Sequence, residues 1–307
     1  MKKSLAALIA IVCLPVIAFN SYAAQEWTLT QDNVNLNLKG VSPYVEKLSS
    51  GADRLYFASE SALPDPIMVM DCNEANCTRK SITSRFGSDA TIVTLNNGTR
   101  KVFFVEMGPS GKSIKFATLG ADGLSHGAVS ALDVDGSTVS QNEGAWGVPD
   151  AVVLPDGKVR VYWVFKDPAT GKPGLPEAVI SATSTDASAT SFKRDPGFRL
   201  TGGYVDTEVL RAIDGDWVMI VSTGPGAGTQ KLYMATSVDG LTWKVNENVI
   251  SSPTESALDP TGYEIEKNTW RIYYASAAPG MVVERIYTLK RATLKLSEVQ
   301  ATPTPTP

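Results

Sequence analysis

The sequence predicts an all-β chain folded as a five-bladed β-propeller with four-stranded antiparallel blades. Three observations predict it. No segment of the mature chain carries a sustained helical apolar period. A unit of short strand, polar turn and aromatic-rich strand recurs five times, at intervals of roughly fifty-five residues. The second strand of each unit is apolar on both faces, which a strand tolerates only when a sheet covers each side.

The first element is a leader. Met1-Lys2-Lys3, an apolar run from Leu5 to Phe19 and the small residues Ser21-Tyr22-Ala23 form the pattern of a secretory signal peptide over residues 1–23, with cleavage expected after Ala23. The run is too short to span a membrane. Val12 stands before Cys13 where a lipid-attachment signal would carry a small residue, so Cys13 belongs to the discarded segment. The expected address is secreted or periplasmic. No later apolar run is long enough to cross a membrane.

The propeller is expected over residues 24–299. The alternating segment Trp27–Asn37 is suited to adding an outer strand to the last blade and closing the ring. The second strands are Arg54–Ser59, Lys101–Val105, Arg160–Val164, Asp216–Val221 and Trp270–Ala275. Ser50-Gly51-Ala52, Asn96-Asn97-Gly98, Pro155-Asp156-Gly157, Asp214-Gly215 and Lys267-Asn268 precede them. Gly and Asn supply the positive φ that tight hairpins need. Third strands follow, as at Ile114–Thr118, Val179–Thr183 and Lys231–Thr236; in the fifth unit the third and fourth strands are expected at Val282–Leu289 and Ala292–Leu296. In the first unit a cysteine hairpin takes this place. In an exported protein Cys72 and Cys77 read as a disulfide stapling that hairpin, because a redox-active pair would want Cys-x-x-Cys spacing at a helix start. Residues 300–307 end in alternating Thr and Pro, an extended linker or tail.

Composition narrows function. The chain carries 28 basic and 32 acidic residues, a net charge of −4 that becomes −6 once Lys2 and Lys3 leave with the leader. An acidic protein without a basic stripe is not a nucleic-acid binder. One His and three Cys leave little for a zinc site, and no cofactor is expected. Clustered carboxylates leave a structural calcium as an option. A monomer with a glycan or oligosaccharide partner is the expectation.

Ser237-Val238-Asp239-Gly240-Leu241-Thr242-Trp243 resembles the Asp box of sialidases and related propellers, one residue shorter, and Ser184–Thr190 and Asp122–His126 look like decayed copies. The role that resemblance implies is structural: Asp and Ser tie a turn and Trp packs between sheets. His126 then reads as a turn residue rather than a general base. The inner strands carry a second resemblance. Ser88-Asp89-Ala90, Pro149-Asp150-Ala151, Val205-Asp206-Thr207-Glu208 and Leu258-Asp259-Pro260 begin with an acid, which is similar to the five-bladed propeller glycoside hydrolases of the arabinanase/xylosidase type. That resemblance implies a base in blade one, a helper Asp in blade three and an acid in blade four. Asp150 takes the helper place, and Asp206 or Glu208 the acid. Ser42 stands where the base belongs, with Asp89 as its neighbour in blade two. The three-arginine grip of sialidases, with its Arg-Ile-Pro, has no counterpart, and Arg194-Asp195-Pro196 lies outside the funnel.

Glycoside cleavage needs one protonated and one ionised carboxyl flanking the bond. Crowded carboxylates at a propeller hub supply such a set, and Asp89, Asp150, Asp206, Glu208 and Asp259 are the candidates. Trp146, Tyr204 and Tyr263 flank the same strand starts and offer rings for stacking on sugars. Gly224-Pro225-Gly226-Ala227-Gly228 reads as a rim loop. Two functions remain open: a glycoside hydrolase, or a non-catalytic glycan- or protein-binding propeller that lacks the blade-one base.

Overall fold

The computed structural model describes residues 24–59, 67–109, 111–139, 145–166, 174–280 and 287–299. Segment 1–23, where a signal peptide is expected, and the Thr/Pro segment 300–307 lie outside them. The described residues form five antiparallel sheets arranged as a propeller. The N-terminal strand β1 (Ala24–Gln31) is the outer strand of the last blade. Blade 1 is β2 (Val41–Lys47), β3 (Asp53–Ala58), β4 (Ile67–Asn73) and β5 (Asn76–Lys80). Blade 2 is β6 (Ser88–Thr94), β7 (Arg100–Gly108), β8 (Gly111–Thr118) and β9 (Ser130–Ala131).

A short hairpin, β10 (Asp133–Val134) and β11 (Ser137–Thr138), leaves blade 2 and extends the sheet of blade 3. That blade is β12 (Ala145–Val153), β13 (Val159–Lys166), β14 (Glu177–Ser184) and β15 (Phe192–Arg194), and β10 joins β15 in parallel. Blade 4 is β16 (Tyr204–Ile213), β17 (Asp216–Thr223), β18 (Leu232–Ser237) and β19 (Lys244–Val245). Blade 5 is β20 (Ser256–Glu266), β21 (Thr269–Ala277) and β22 (Thr288–Val299), with β1 outside β22. The first and last described strands therefore meet in one sheet: Trp27 pairs with Leu296, and its ring lies 5.6 Å from that of Trp270. Separate third and fourth strands were expected at Val282–Leu289 and Ala292–Leu296. Instead the single strand β22 covers the C-terminal part of that stretch, because β1 supplies the fourth; residues 282–286 lie outside the described residues.

The cores lie between blades. Trp163, Ile180 and Phe192 of blade 3 pack with Phe103 and Ile114 of blade 2, and Ile220 and Met234 of blade 4 pack with Trp270 and Ile272 of blade 5. This is why the second strands are apolar on both faces. Cys72 and Cys77 face each other across the β4–β5 hairpin and form a disulfide, with Cα atoms 4.0 Å apart.

The turns that resemble Asp boxes join neighbouring blades. Asp239 accepts hydrogen bonds from the Leu241 and Thr242 amides at 2.8 and 2.7 Å, which folds the turn. The second strand of the preceding blade then grips it: Tyr162 OH donates to Gly240 O at 2.8 Å and Arg160 to Asp239 O at 3.2 Å. Blade 1 repeats the device on blade 2, with Tyr56 OH donating to Gly123 O at 2.9 Å and Arg54 to Asp122 O. Lys101 of blade 2 does the same to Ala189 O, at 2.8 Å. Blade 1 has no such turn, and there Tyr273 and Tyr263 of blade 5 donate to Asp53 instead. His126 sits in a turn, its ring nitrogens against Gly127 O and Arg85 O, and Asp195 pairs with Arg160 at 3.2 Å. Among the described residues no helix is long and apolar enough to cross a membrane.

Candidate functional site

The five inner strands β2, β6, β12, β16 and β20 surround the axis, and each is interrupted near its start by an irregularity in pairing: Val41/Tyr44, Ser88/Thr91, Gly147/Asp150, Val205/Glu208 and Leu258/Thr261. Within each irregularity one residue has left-handed backbone. These are Ser42 (φ 51°), Asp89 (53°), Val148 (50°), Asp206 (52°) and Asp259 (48°). A bulge re-aims a side chain, and here it turns five residues toward the hub as an upper tier. Two residues further on, Tyr44, Thr91, Asp150, Glu208 and Thr261 form a deeper tier.

This register corrects the expected placement of Asp150. In blade 3 the place equivalent to Asp89, Asp206 and Asp259 is held by Val148, and Asp150 lies one tier below. The sequence signal that would have found this is the proline that follows the left-handed residue: Ser42-Pro43, Val148-Pro149 and Asp259-Pro260 align, whereas aligning the aspartates does not. The left-handed place is therefore apolar in blade 3 and Ser42 in blade 1, while Asp150 shares the deeper tier with Glu208.

The acids are engaged with neighbouring blades. In the upper tier Asp206 Oδ2 accepts from the buried Ser222 hydroxyl and, at 3.4 Å, from the Asp259 amide. Asp259 Oδ2 accepts from the Ser42 amide at 2.9 Å. In the deeper tier Asp150 Oδ2 accepts from the Val209 amide at 2.8 Å, Glu208 Oε1 from Thr261 Oγ1 at 3.0 Å and from the Gly262 amide at 3.4 Å, and Thr261 Oγ1 from the Val45 amide at 3.2 Å. Tyr44 OH donates to Ile92 O at 2.7 Å. Blades 1 and 2, 3 and 4, 4 and 5, and 5 and 1 are thus tied at the hub.

Asp150, Asp206, Asp259 and Glu208 are all buried, and Asp89 is half-buried. Burial pushes the Asp150 carboxyl up to about 7, against the lowering pull of the Val209 and Ala151 amides. It pushes Asp206 up to about 6, with the Ser222 hydroxyl opposing. Glu208 is raised well above the usual range by burial and then by the charge of Asp150; Asp259 is raised by burial and then by Asp206 and Asp89. Like charges held in a low-dielectric hub cannot all ionise, so protons are shared within the cluster.

The upper cavity, lined by Ser42, Asp89, Val148, Asp206 and Asp259 among others, has a volume of about 30 Å³. That is room for about one water. A larger space of about 340 Å³ opens at the opposite end of the axis, among Tyr44, Lys47, Asp150, Glu208 and Tyr263. Tyr263 is thus at the far end, not beside Tyr204 at the strand starts as expected: β20 begins at Ser256, so Tyr263 falls deep along it, with Lys47 Nζ 5.6 Å from its ring centre. The Tyr204 ring packs against Tyr233 at 5.7 Å and is not among the residues lining the axial cavity. The Trp146 side chain lies outside the described residues. Among the described residues no group of three or more His, Cys, Asp or Glu is arranged to hold a metal ion.

No family model and no curated protein matches this chain. Solved structures do. An N-acetylgalactosamine deacetylase from F. plautii, in complex with blood group B trisaccharide, superposes with a TM-score of 0.61 at 12% identity, covering 86% of this chain and 95% of its own. An endo-arabinase from Bacteroides thetaiotaomicron gives 0.61 at 9% identity, covering 89% and 99%. The GH43 protein BlXynB from Bacillus licheniformis gives 0.57 at 14% identity, covering 89% of this chain and 57% of its own. The fold is that of the GH43-type five-bladed propellers. The same five-bladed fold carries a deacetylase and an endo-arabinase, so it does not by itself name a reaction, and the hub residues must decide.

Proposed function

We propose that this chain is an exported carbohydrate-binding propeller that keeps the fold of the GH43-type enzymes without their axial acid–base set. One observation carries the reading: Ser42, in the place where the resemblance puts the base, is not an acid, while the buried acids of the hub accept hydrogen bonds from the amides of neighbouring blades. The Asp206 and Asp259 carboxyls enclose a water-sized cavity, which suits them to fastening strands rather than to flanking a glycosidic bond. The ligand class comes from fold-level likeness to carbohydrate-active proteins. Export is supported by the leader pattern of residues 1–23 and by the Cys72–Cys77 disulfide. The protein acts as a monomer in this reading.

A second reading, a hydrolase, is favoured by the Asp206–Asp259 pair. Their raised carboxyls beside Asp89 provide proton-holding acids next to the mouth. Affinity electrophoresis through gels containing arabinan or xylan tests the binding reading. Retardation of the wild type, unchanged in Asp206→Asn, supports it. Free migration in every gel contradicts it.

A further inference from the structure

We infer that the seam between the outer strands of blades 4 and 5 is an off-axis sugar site, in which the Trp27 ring stacks on one ring of a neutral glycan and the side chains of Lys244, Asn246, Glu247 and Asn248 meet its hydroxyls. The inference takes its ligand class from the carbohydrate reading above and assigns a place on the rim that none of the hub acids lines.

The outer edges of the two blades are unequal. β1 pairs with β22 over eight residues, from Ala24 to Gln31. Its counterpart in blade 4, β19, pairs with β18 at only two, Lys244 opposite Thr236 and Val245 opposite Ala235. Nearer the axis the seam is filled by Ile220, Met234, Trp270 and Ile272. Beside the short strand it is not filled. A cavity of about 460 Å³ lies there, between Trp27 on one side and Met234, Thr236 and residues 244–248 on the other. Lys244, Glu247 and Asn248 are exposed, so the cavity meets solvent at the rim. It is larger than either axial space and falls within the range of small-ligand pockets, about 300–1,000 Å³.

The lining suits a sugar. Trp27 leans on Trp270, with ring centres 5.6 Å apart and planes at 40°, and this contact holds its ring in place. Packing alone does not account for it: Trp270 is fully buried, whereas Trp27 is half-buried and keeps part of its surface on the cavity. Its indole N–H donates to no described residue. A ring already fixed by packing offers an apolar face at little further cost in freedom, and the C–H face of a sugar ring covers such a surface. Across the gap the turn over residues 246–248 is pre-formed. The Asn246 amide donates to Met234 O at 2.8 Å, and Asn246 Oδ1 accepts from the Asn248 amide at 2.9 Å. Asn246 Nδ2 and the Asn248 side-chain amide are left without a described partner, as donors and an acceptor for hydroxyls. Lys244 and Glu247 form no ion pair with a described residue, and their opposite charges select neither an anion nor a cation. An uncharged ligand with an apolar face and an edge of hydroxyls matches this set.

The test compares wild type, Trp27→Ala and Asn248→Ala by calorimetric titration with arabinan and xylan oligosaccharides, by affinity electrophoresis in the parent polymers, and by thermal unfolding. The wild type is expected to bind at least one probe. Trp27→Ala should weaken that binding by about tenfold. Asn248→Ala, on the opposite wall, should weaken it by about threefold or more and keep its Tm within about 2 °C of wild type. The exposed Asn248 keeps the test decisive where Trp27→Ala lowers Tm through lost packing on Trp270. Binding equal to wild type in either variant overturns the inference and leaves the carbohydrate reading standing. Failure of the wild type to bind any probe removes the carbohydrate reading and the inference with it.

Discussion

Asp150 Oδ2 accepts the Val209 amide at 2.8 Å, so an acid of blade 3 holds the inner strand of blade 4. Its proton affinity is tied to that contact. In the native state its carboxyl sits at about 7 because it is buried, and in the unfolded chain it returns to about 4. The folded protein therefore binds this proton more tightly than the unfolded one. The stabilisation is complete below about pH 4 and is lost as pH rises through about 7. Asp206, raised to about 6, acts with the same sign. Asp71 and Asp239, held down by Arg54 and by the Thr242 amide respectively, act oppositely, but only toward more acid pH. Thermal unfolding between pH 4 and 8 should show Tm falling as pH rises, and Asp150→Asn should flatten that fall.

Val148 is β-branched and sits at φ 50°, a conformation that costs an L-residue roughly 1–2 kcal/mol. Asparagine adopts it more readily. Val148→Asn should stabilise the protein by about 1 kcal/mol in urea unfolding. A loss of stability would mean that the methyls of Val148 contribute more at the hub than the backbone strain costs.

Tyr162 and Tyr56 bond turns of their neighbouring blades through Gly240 O and Gly123 O. Tyr56→Phe leaves the buried Gly123 carbonyl without its donor and should cost about 1–2 kcal/mol, whereas Gly240 O keeps the Trp243 indole N–H at 3.0 Å, so Tyr162→Phe should cost about 1 kcal/mol. The two contacts lie at different blade seams, so the double variant should show the sum to within about 0.5 kcal/mol. Denaturant titration of the four proteins measures this.

The Cys72–Cys77 bridge closes a hairpin of few residues, so it limits the unfolded chain only modestly. Replacing both cysteines with serine should lower stability by about 2 kcal/mol while the blade remains folded. Comparison of Tm with and without reductant checks the same quantity on the wild type.

Much of the fold is legible in the chain. The five second strands and the glycine- or asparagine-bearing turns before them are local signals, and the alternation around Trp27 announces the closing strand. The disulfide follows from two cysteines close in sequence. The tier of Asp150 is not legible from strand period alone, because a bulge shifts the count by one residue in each inner strand. At Val148 the left-handed position carries a residue that gives no hint of it; only the following proline does. Tyr263 was misplaced for a related reason, since β20 starts earlier than its aspartate suggests.

The central claim is that the hub acids join blades rather than cleave sugars. Release of reducing ends from arabinan, xylan and their oligosaccharides by the purified protein, measured beside its retention on the same polymers, tests it most directly. The account predicts retention on at least one polymer with no reducing ends above the buffer control. Release that Asp206→Asn abolishes while the variant keeps the wild-type Tm would contradict it.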